Sequence, residues 1–399
     1  MELNQEAKEL IQWLHEFAEK EMRPIAHKYD ELEETPWDFI EKAQEAGIYD
    51  HEFILNLMQD PTGLSVVAAV EELAWGDAGL AVNVFSLALF GILGNGTPEQ
   101  IEKWLPRCFK DESGKTQLSA FISSEPEAGS DVGNLKTRAE WDSKTNEWVL
   151  NGVKTWGTNG GIADVHVIVA SVDPSLRSRG QASFIVPKNS TEGISQGQKF
   201  QKMGIRSSHT AEVILENCRI PEENLLGGND KLFNRLEKAR KGEKTSTQAA
   251  MSTFEITRPP IGGMAVGIAR AAYEHALEYA KVRKQFGKPI IENQAVSFKL
   301  AEMATRIDAA RLLVWRAYNK IANGQPLLNA EGSMSKLYAS ETAVDVTREA
   351  IQIFGGNGYT REYPVERLHR DSLIYTIFEG TSEIQKLVIA RAISGMRLT

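Results

Sequence analysis

The tightest constraint on this chain is an apolar stripe in its C-terminal third. Val296, Leu300, Met303, Ile307, Ala310, Val314, Ala317 and Ile321 alternate steps of four and three residues. On a helix that spacing keeps one narrow face pointing in one direction, and a stripe of this length must be buried against other helices. The spacing predicts a single helix from about Glu292 to Asn323, ended by Asn323-Gly324. It sits in a bundle whose helices cross at about +20°.

Two changes of texture divide the rest. In the N-terminal part Leu10, Ile11, Leu14, Phe17 and Ala18 share one helical face. Thr35-Pro36 reads as an N-cap followed by Pro at the first helical position, with Gly47 as a stop, and Thr97-Pro98-Glu99-Gln100 reads as a capping box. From about residue 118 the runs become short and β-branched: Trp148 to Leu150, Val165 to Val172, Ser183 to Val186 and Ala211 to Leu215. Turn signals separate them at Asn146, Asn151-Gly152, Asn159-Gly160-Gly161 and Glu192-Gly193. From about residue 231 helices return. The reading is an α+β multidomain chain: a helical domain over 1–117, a β domain over 118–230 and a helix-bundle domain over 231–399.

Composition narrows the function class. The 399 residues carry a net charge of −9, which argues against nucleic acid as a partner. Cys108 and Cys218 are the two cysteines, too few for a disulfide framework, so a reducing compartment is expected. The acidic start, Met1 to Glu6, resembles neither a signal nor a transit peptide, and the apolar stretch Gly79 to Leu93 is too short to span a bilayer. A cytoplasmic protein with no membrane partner is the expectation. No His-x-x-x-His pair, Walker loop, dinucleotide fingerprint or G-x-S-x-G elbow occurs, and no metal is expected.

Five segments have the residue types for chemistry. Phe121-Ile122-Ser123-Ser124-Glu125-Pro126-Glu127-Ala128-Gly129-Ser130-Asp131 ends a strand in hydroxyls and small residues, either a surface loop of Asx and Ser turns or one that lets a ligand approach backbone N–H groups. Lys154-Thr155-Trp156-Gly157-Thr158 puts an indole two residues before a hydroxyl on a strand end, either a core Trp in a hairpin or a face for a planar ring and its edge. Arg283-Lys284-Gln285-Phe286-Gly287 reads as a helix C-terminus with Gly287 as the left-handed stop. Gln352-Ile353-Phe354-Gly355-Gly356-Asn357-Gly358 also stops a helix, with more glycine than a stop needs. Finally, Glu379 follows the apolar run Ile374 to Phe378 and precedes Gly380-Thr381-Ser382. A carboxylate there is either a solvated helix-start residue or a desolvated base.

Together, in this order, the five segments resemble the acyl-CoA dehydrogenase family, closest in motifs to its medium- and short-chain members. The signatures are Ser124-Glu125-Pro126 with Ala128 to Asp131, and Gln352 to Tyr359 continuing through Glu362-Tyr363-Pro364 to Glu379-Gly380-Thr381. The resemblance implies an N-terminal helical domain, a middle β barrel and a C-terminal four-helix bundle. It also implies non-covalent FAD and a homotetramer built as a dimer of dimers. Glu379 is then the base that takes the α-proton of an acyl-CoA thioester. The thioester oxygen accepts from the Glu379 N–H and a ribityl hydroxyl, and electrons pass to an electron-transfer flavoprotein.

By motif match, Phe121, Ser124, Ser130, Trp156, Thr158, Thr381 and Glu383 meet the flavin. Arg283, Phe286, Gln294, Gln352, Gly355 and Gly356 reach the ADP half of a neighbouring subunit's FAD, and Ser130, Glu255, Arg258, Phe378 and Gly380 line the substrate channel. Thr257 stands where some members carry the base, Phe378 replaces a Tyr, and Glu383 replaces a Gln. The stretch Asn229 to Ser252, before the helix at Pro259, holds Lys231, Arg235, Lys238, Arg240, Lys241 and Lys244. It is either a solvated helix and loop or a flank of the CoA entrance. Rival functions are an acyl-CoA oxidase and a non-catalytic subunit of a mixed oligomer.

Overall fold

The computed structural model describes residues 2–243, 245 and 249–396, with backbone alone at 249–252. The N-terminal helices are α1 (Gln5–Phe17), α2 (Arg23–Leu32), α3 (Trp37–Glu45), α4 (His51–Met58), α5 (Leu64–Gly76), α6 (Ala78–Val84), α7 (Leu87–Asn95) and α8 (Pro98–Trp104). Seven strands follow: β1 (Ser119–Ile122), β2 (Arg138–Asp142), β3 (Glu147–Thr158), β4 (Val165–Ser171), β5 (Gln181–Pro187), β6 (Ile194–Lys199) and β7 (Thr210–Pro221). Helices α9 (Asn229–Arg240) and α10 (Ala249–Val282) lead to a two-strand hairpin, β8 (Lys284–Gln285) with β9 (Lys288–Pro289). Then come α11 (Gln294–Ala322), α12 (Glu331–Phe354), α13 (Val365–Leu373) and α14 (Ser382–Ser394). The order helices, strands, helices is the one the sequence predicts.

The apolar stripe becomes the seam of α11. Leu300, Met303, Ile307, Ala310, Val314 and Ala317 are buried, and Val296 and Ile321 pack at its ends. Helix α10 is the hub, packed against α5, α11 and α12. It runs through Pro259-Pro260 instead of starting there. Each proline removes one ladder hydrogen bond, and the burial of Pro259 and Pro260 compensates. At the other end of the chain the Thr97 capping box forms as read, with both reciprocal bonds present. Pro36 is itself the cap of α3, not its first helical residue, so the Thr35 cap does not form. The apolar stretch after residue 78 is two short helices broken at Phe85-Ser86, and 67% of the window Ala78–Asn95 is buried.

The sheet runs β1-β4-β2-β3-β7-β6, with β5 on the other side of β4. Asn151-Gly152 is not a turn. It is a bulge inside β3, where the register against β7 shifts between Leu150 and Gly152. Gly152 has φ 150°, and a β-carbon there would lie 2.5 Å from the Thr137 hydroxyl oxygen, so only glycine fits. The Asn side chain accepts from the Asn217 N–H at 2.7 Å, which pins the bulge to β7. Strand β6 escapes pattern reading because Ile-Ser-Gln-Gly-Gln-Lys has almost no β-branched character.

Helix α9 lies on this sheet. Arg235 donates to the carbonyls of Arg179 and Gln181, and Asn229 accepts from the buried Trp148 indole at 3.0 Å. Of the basic stretch, Arg240 pairs with Asp173 at 2.8 Å and Lys241 with Glu237 at 2.6 Å, while Lys244 lies outside the described residues.

Candidate active site

Glu379 sits in the turn between α13 and α14, at φ 54°. That left-handed conformation costs a non-glycine residue roughly 1–2 kcal/mol and persists only where its surroundings enforce it. Gln385, fully buried on α14, donates to the Glu379 carbonyl at 3.0 Å and the Gly380 carbonyl at 2.9 Å. Lys336, fully buried on α12, donates to the same Gly380 carbonyl at 2.8 Å. Gly380 follows at φ 91°, and Thr381 caps α14 by accepting from the Ile384 N–H at 3.3 Å. Thr381 thus does cap a helix, and the cap fixes the far side of the turn that carries Glu379.

The carboxylate meets α10. The Thr257 hydroxyl donates to it at 2.7 Å, and the charges of Arg258 and Lys336 act on it. The residue is half-buried but its carboxyl is enclosed. Burial pushes the carboxyl above the usual range, and the Thr257 hydroxyl, Arg258 and Lys336 oppose the rise. Arg258 is buried and donates to the Ser333 hydroxyl at 3.2 Å. Glu255, one turn earlier, is exposed. Phe378 stands edge-on to the buried Tyr375 ring, 4.9 Å between centroids, so an aromatic wall flanks the turn. Among the described residues no acceptor takes the Glu379 N–H, which leaves it able to donate to a ligand oxygen.

A second group lies on the sheet. Phe121, on β1, meets Phe254 of α10 edge-on at 6.1 Å, a link between sheet and helix hub. Ser124 follows β1, and its carbonyl accepts from the Thr155 N–H at 3.0 Å, which ties the Ser124 loop to the strand carrying Trp156 and Thr158. Beneath them Glu125 and Lys154 form a buried ion pair at 2.8 Å. Glu125 also accepts from the Lys136 and Thr137 N–H groups, and Lys154 donates to the Ser123 carbonyl. Burial pushes Lys154 down to about 8. Trp156 has φ 60° and is 61% exposed, one ring face stacked on Phe200 at 4.2 Å. Ser130 is exposed and Thr158 half-buried. The buried Ser123 hydroxyl lacks a partner.

A third group lies at the end of α10. Arg283, Phe286 and Gln294 are exposed, Phe286 by 98%. The segment is not a helix stop. Helix α10 ends at Val282, and Phe286-Gly287, both at positive φ, form the two-residue turn of the β8–β9 hairpin. A stack of Tyr279 on Phe354 at 4.1 Å joins this end to the Gly355-Gly356 loop, where added β-carbons would meet open space. Gln352 and Glu383 are exposed. No hydrogen bond joins Arg283, Phe286 or Gln294 to the Trp156 group among the described residues.

Lys336 and Gln385 escape sequence reading. The usable signal for Lys336 is a lone cation on the face of α12 otherwise made of Gly332, Ser333, Ala339, Ser340 and Ala343, all buried. Such a face buries its lysine, and a buried lysine needs a partner.

The exposed Trp156 face, the unpartnered buried hydroxyl and the open glycines fit a planar ring system with a phosphate-bearing tail. Two helical domains around such a sheet, with an enclosed carboxylate held against α10, have the parts of a flavin-dependent dehydrogenase. Family models for the acyl-CoA dehydrogenase N-terminal, middle and C-terminal domains match residues 4–112, 120–218 and 247–394. The chain belongs to the acyl-CoA dehydrogenase family and is an FAD-dependent oxidoreductase. It is 40% identical to the mitochondrial short-chain specific acyl-CoA dehydrogenase of Sus scrofa, over 98% of this chain and 90% of that one. It superposes on butyryl-CoA dehydrogenase from Megasphaera elsdenii with a TM-score of 0.87 at 36% identity, covering 99% of each. A chain from a structure concerned with the electron transferring flavoprotein of Acidaminococcus fermentans gives 0.86 at 35% identity, covering 98% of this chain and 99% of that chain.

Proposed function

We propose that this chain dehydrogenates a short-chain acyl-CoA thioester between its α and β carbons, with Glu379 as the base. The observation that carries the reading is the enclosed Glu379 carboxylate, hydrogen-bonded at 2.7 Å to a threonine that cannot itself serve as base. An α-proton of a thioester is a weak acid, so its removal needs a strong base and a stabilised enolate oxygen. Burial strengthens Glu379 as a base, and filling the pocket with an acyl chain strengthens it further. The free Glu379 N–H would donate to the thioester oxygen, where negative charge develops. Thr257 and Arg258 oppose the rise caused by burial and so favour the ionised carboxylate.

FAD, when bound, supplies the oxidant that accepts the β-hydride. Ser124, Thr158 and Trp156 would hold its ring, with Phe121, Ser130, Thr381 and Glu383 around it. The exposure of Arg283, Phe286, Gln294 and Gln352 supports a homo-oligomer in which they and Gly355-Gly356 reach the cofactor of a neighbouring copy. Ser130, Glu255, Arg258, Phe378 and Gly380 would line the thioester channel. The short acyl group is supported by the short-chain and butyryl specificities named for the relatives, and an electron-transferring flavoprotein as acceptor by the third neighbour. Anaerobic titration of the purified flavoprotein with butyryl-, octanoyl-, isovaleryl- and glutaryl-CoA tests the substrate. Butyryl-CoA should bleach the flavin band most completely, and failure of every one of them would refute the reading.

A further inference from the structure

We propose that Lys336 is a positioning residue for the Glu379 base: its ammonium fixes the Gly380 carbonyl and brings a positive charge to the turn that carries the carboxylate. The inference rests on the reading of Glu379 as the base. Lys336 is fully buried in the second turn of α12, on a face otherwise made of small side chains. A buried ammonium is costly unless it is paired, and burial pushes this one down to about 8. Its hydrogen bond nevertheless goes to a backbone carbonyl, that of Gly380 at 2.8 Å, and not to a carboxylate. The carbonyl belongs to the residue after the base, in a turn held at φ 54° and φ 91°. A turn so strained springs back unless several contacts over-determine it.

Gln385 grips the same turn, but a neutral amide contributes geometry only. Lys336 contributes geometry and charge. The groups that act on the carboxylate or on Lys336 come from three helices. From α10 come the Thr257 hydroxyl and Arg258, the latter also under the charge of Glu255. From α12 come Lys336 and Glu341, and Glu341 accepts from the Ser382 hydroxyl at 2.5 Å. From α14 comes Glu383, whose charge acts on Lys336. Of the two cations, Lys336 also bonds the base-bearing turn itself, whereas Arg258 donates to Ser333.

Three variants separate the two contributions, each assayed as the FAD-loaded enzyme for the pH profile of kcat/KM and for FAD content. Lys336→Met removes bond and charge. Its acid limb should move up by about one pH unit, as expected for loss of a neighbouring opposite charge, and kcat should fall about tenfold or more. Lys336→Gln keeps a donor without charge, so its acid limb should move equally while kcat falls less. Lys336→Arg should keep the wild-type acid limb. FAD content should stay that of the wild type throughout. If Lys336→Met does not fold, the Gln variant carries the test. A wild-type acid limb in the uncharged variants, with Glu379→Gln inactive, overturns the role of Lys336 and leaves the base in place. An active Glu379→Gln enzyme removes the base and this inference with it.

Discussion

The Thr257 hydroxyl lies 2.7 Å from Oε2 of Glu379 and donates to it, across 122 residues of sequence. A threonine on α10 thus contacts a carboxylate in the turn before α14. A hydrogen bond to a charged acceptor contributes about 1.5–3 kcal/mol, and here it favours the ionised carboxylate against the rise caused by burial. Thr257→Val keeps the shape and deletes the donor. The acid limb of kcat/KM should move up by about one pH unit, with the plateau rate at high pH nearly unchanged. An unmoved limb would remove Thr257 from the account.

Trp156 offers one indole face to solvent while Phe200 covers the other. Trp156→Ala should weaken FAD binding by about ten- to a hundredfold, the loss of one aromatic stack and its buried area. Trp156→Phe should retain most of the affinity. Titration of apoprotein with FAD measures both. The thermal midpoint of the apoprotein should hardly change in either, because the indole is 61% exposed without ligand.

How much of this was legible in the sequence differs by scale. The α11 seam is legible because burial selects one residue in every three or four, and that periodicity survives in the letters alone. Asn151-Gly152 misleads because the same dipeptide serves a hairpin turn and a bulge, and only the partner strand decides. Phe286-Gly287 misleads for the same reason, since left-handed residues end helices and close hairpins alike. Glu379 is ambiguous by itself because Thr381 caps α14 whatever the turn before it does. Lys336 and Gln385 are hard to read for a different reason. Their function is a contact with a turn 44 and about 5 residues away respectively, and separation in sequence carries no sign of it.

The buried pair Glu125–Lys154 joins the Ser124 loop to the Trp156 strand. Removing one member of a buried pair leaves an uncompensated charge and costs about 3–5 kcal/mol. Lys154→Met should therefore lower the thermal midpoint sharply and shed FAD. Adding Glu125→Gln should recover much of the stability, because no charge is then left alone. A double variant no more stable than Lys154→Met would contradict this.

Asp371 and Asp77 are both buried where α13 meets the 205–208 loop and α6. Burial, then the charge of Asp77, push Asp371 up to about 7. Asp371 accepts from the Ile205 N–H at 2.5 Å, and Asp77 faces Arg367 at 3.2 Å. A carboxyl protonated in the folded chain but ionised when unfolded binds more protons folded. Its stabilising contribution is therefore full below about pH 4, the unfolded value, and is lost as pH rises towards 7. The thermal midpoint of Asp371→Asn should fall less than that of the wild type between pH 5 and 7. Parallel curves would contradict the raised value.

The central claim is that Glu379 takes the α-proton. Glu379→Gln keeps the side-chain length and the Thr257 contact but removes the basic oxygen. Mixed anaerobically with the acyl-CoA that bleaches the wild type best, the Gln variant should retain FAD and bind the thioester with an unbleached flavin band, its reduction slowed by about a hundredfold or more. Full bleaching of the variant at the wild-type rate would contradict the account.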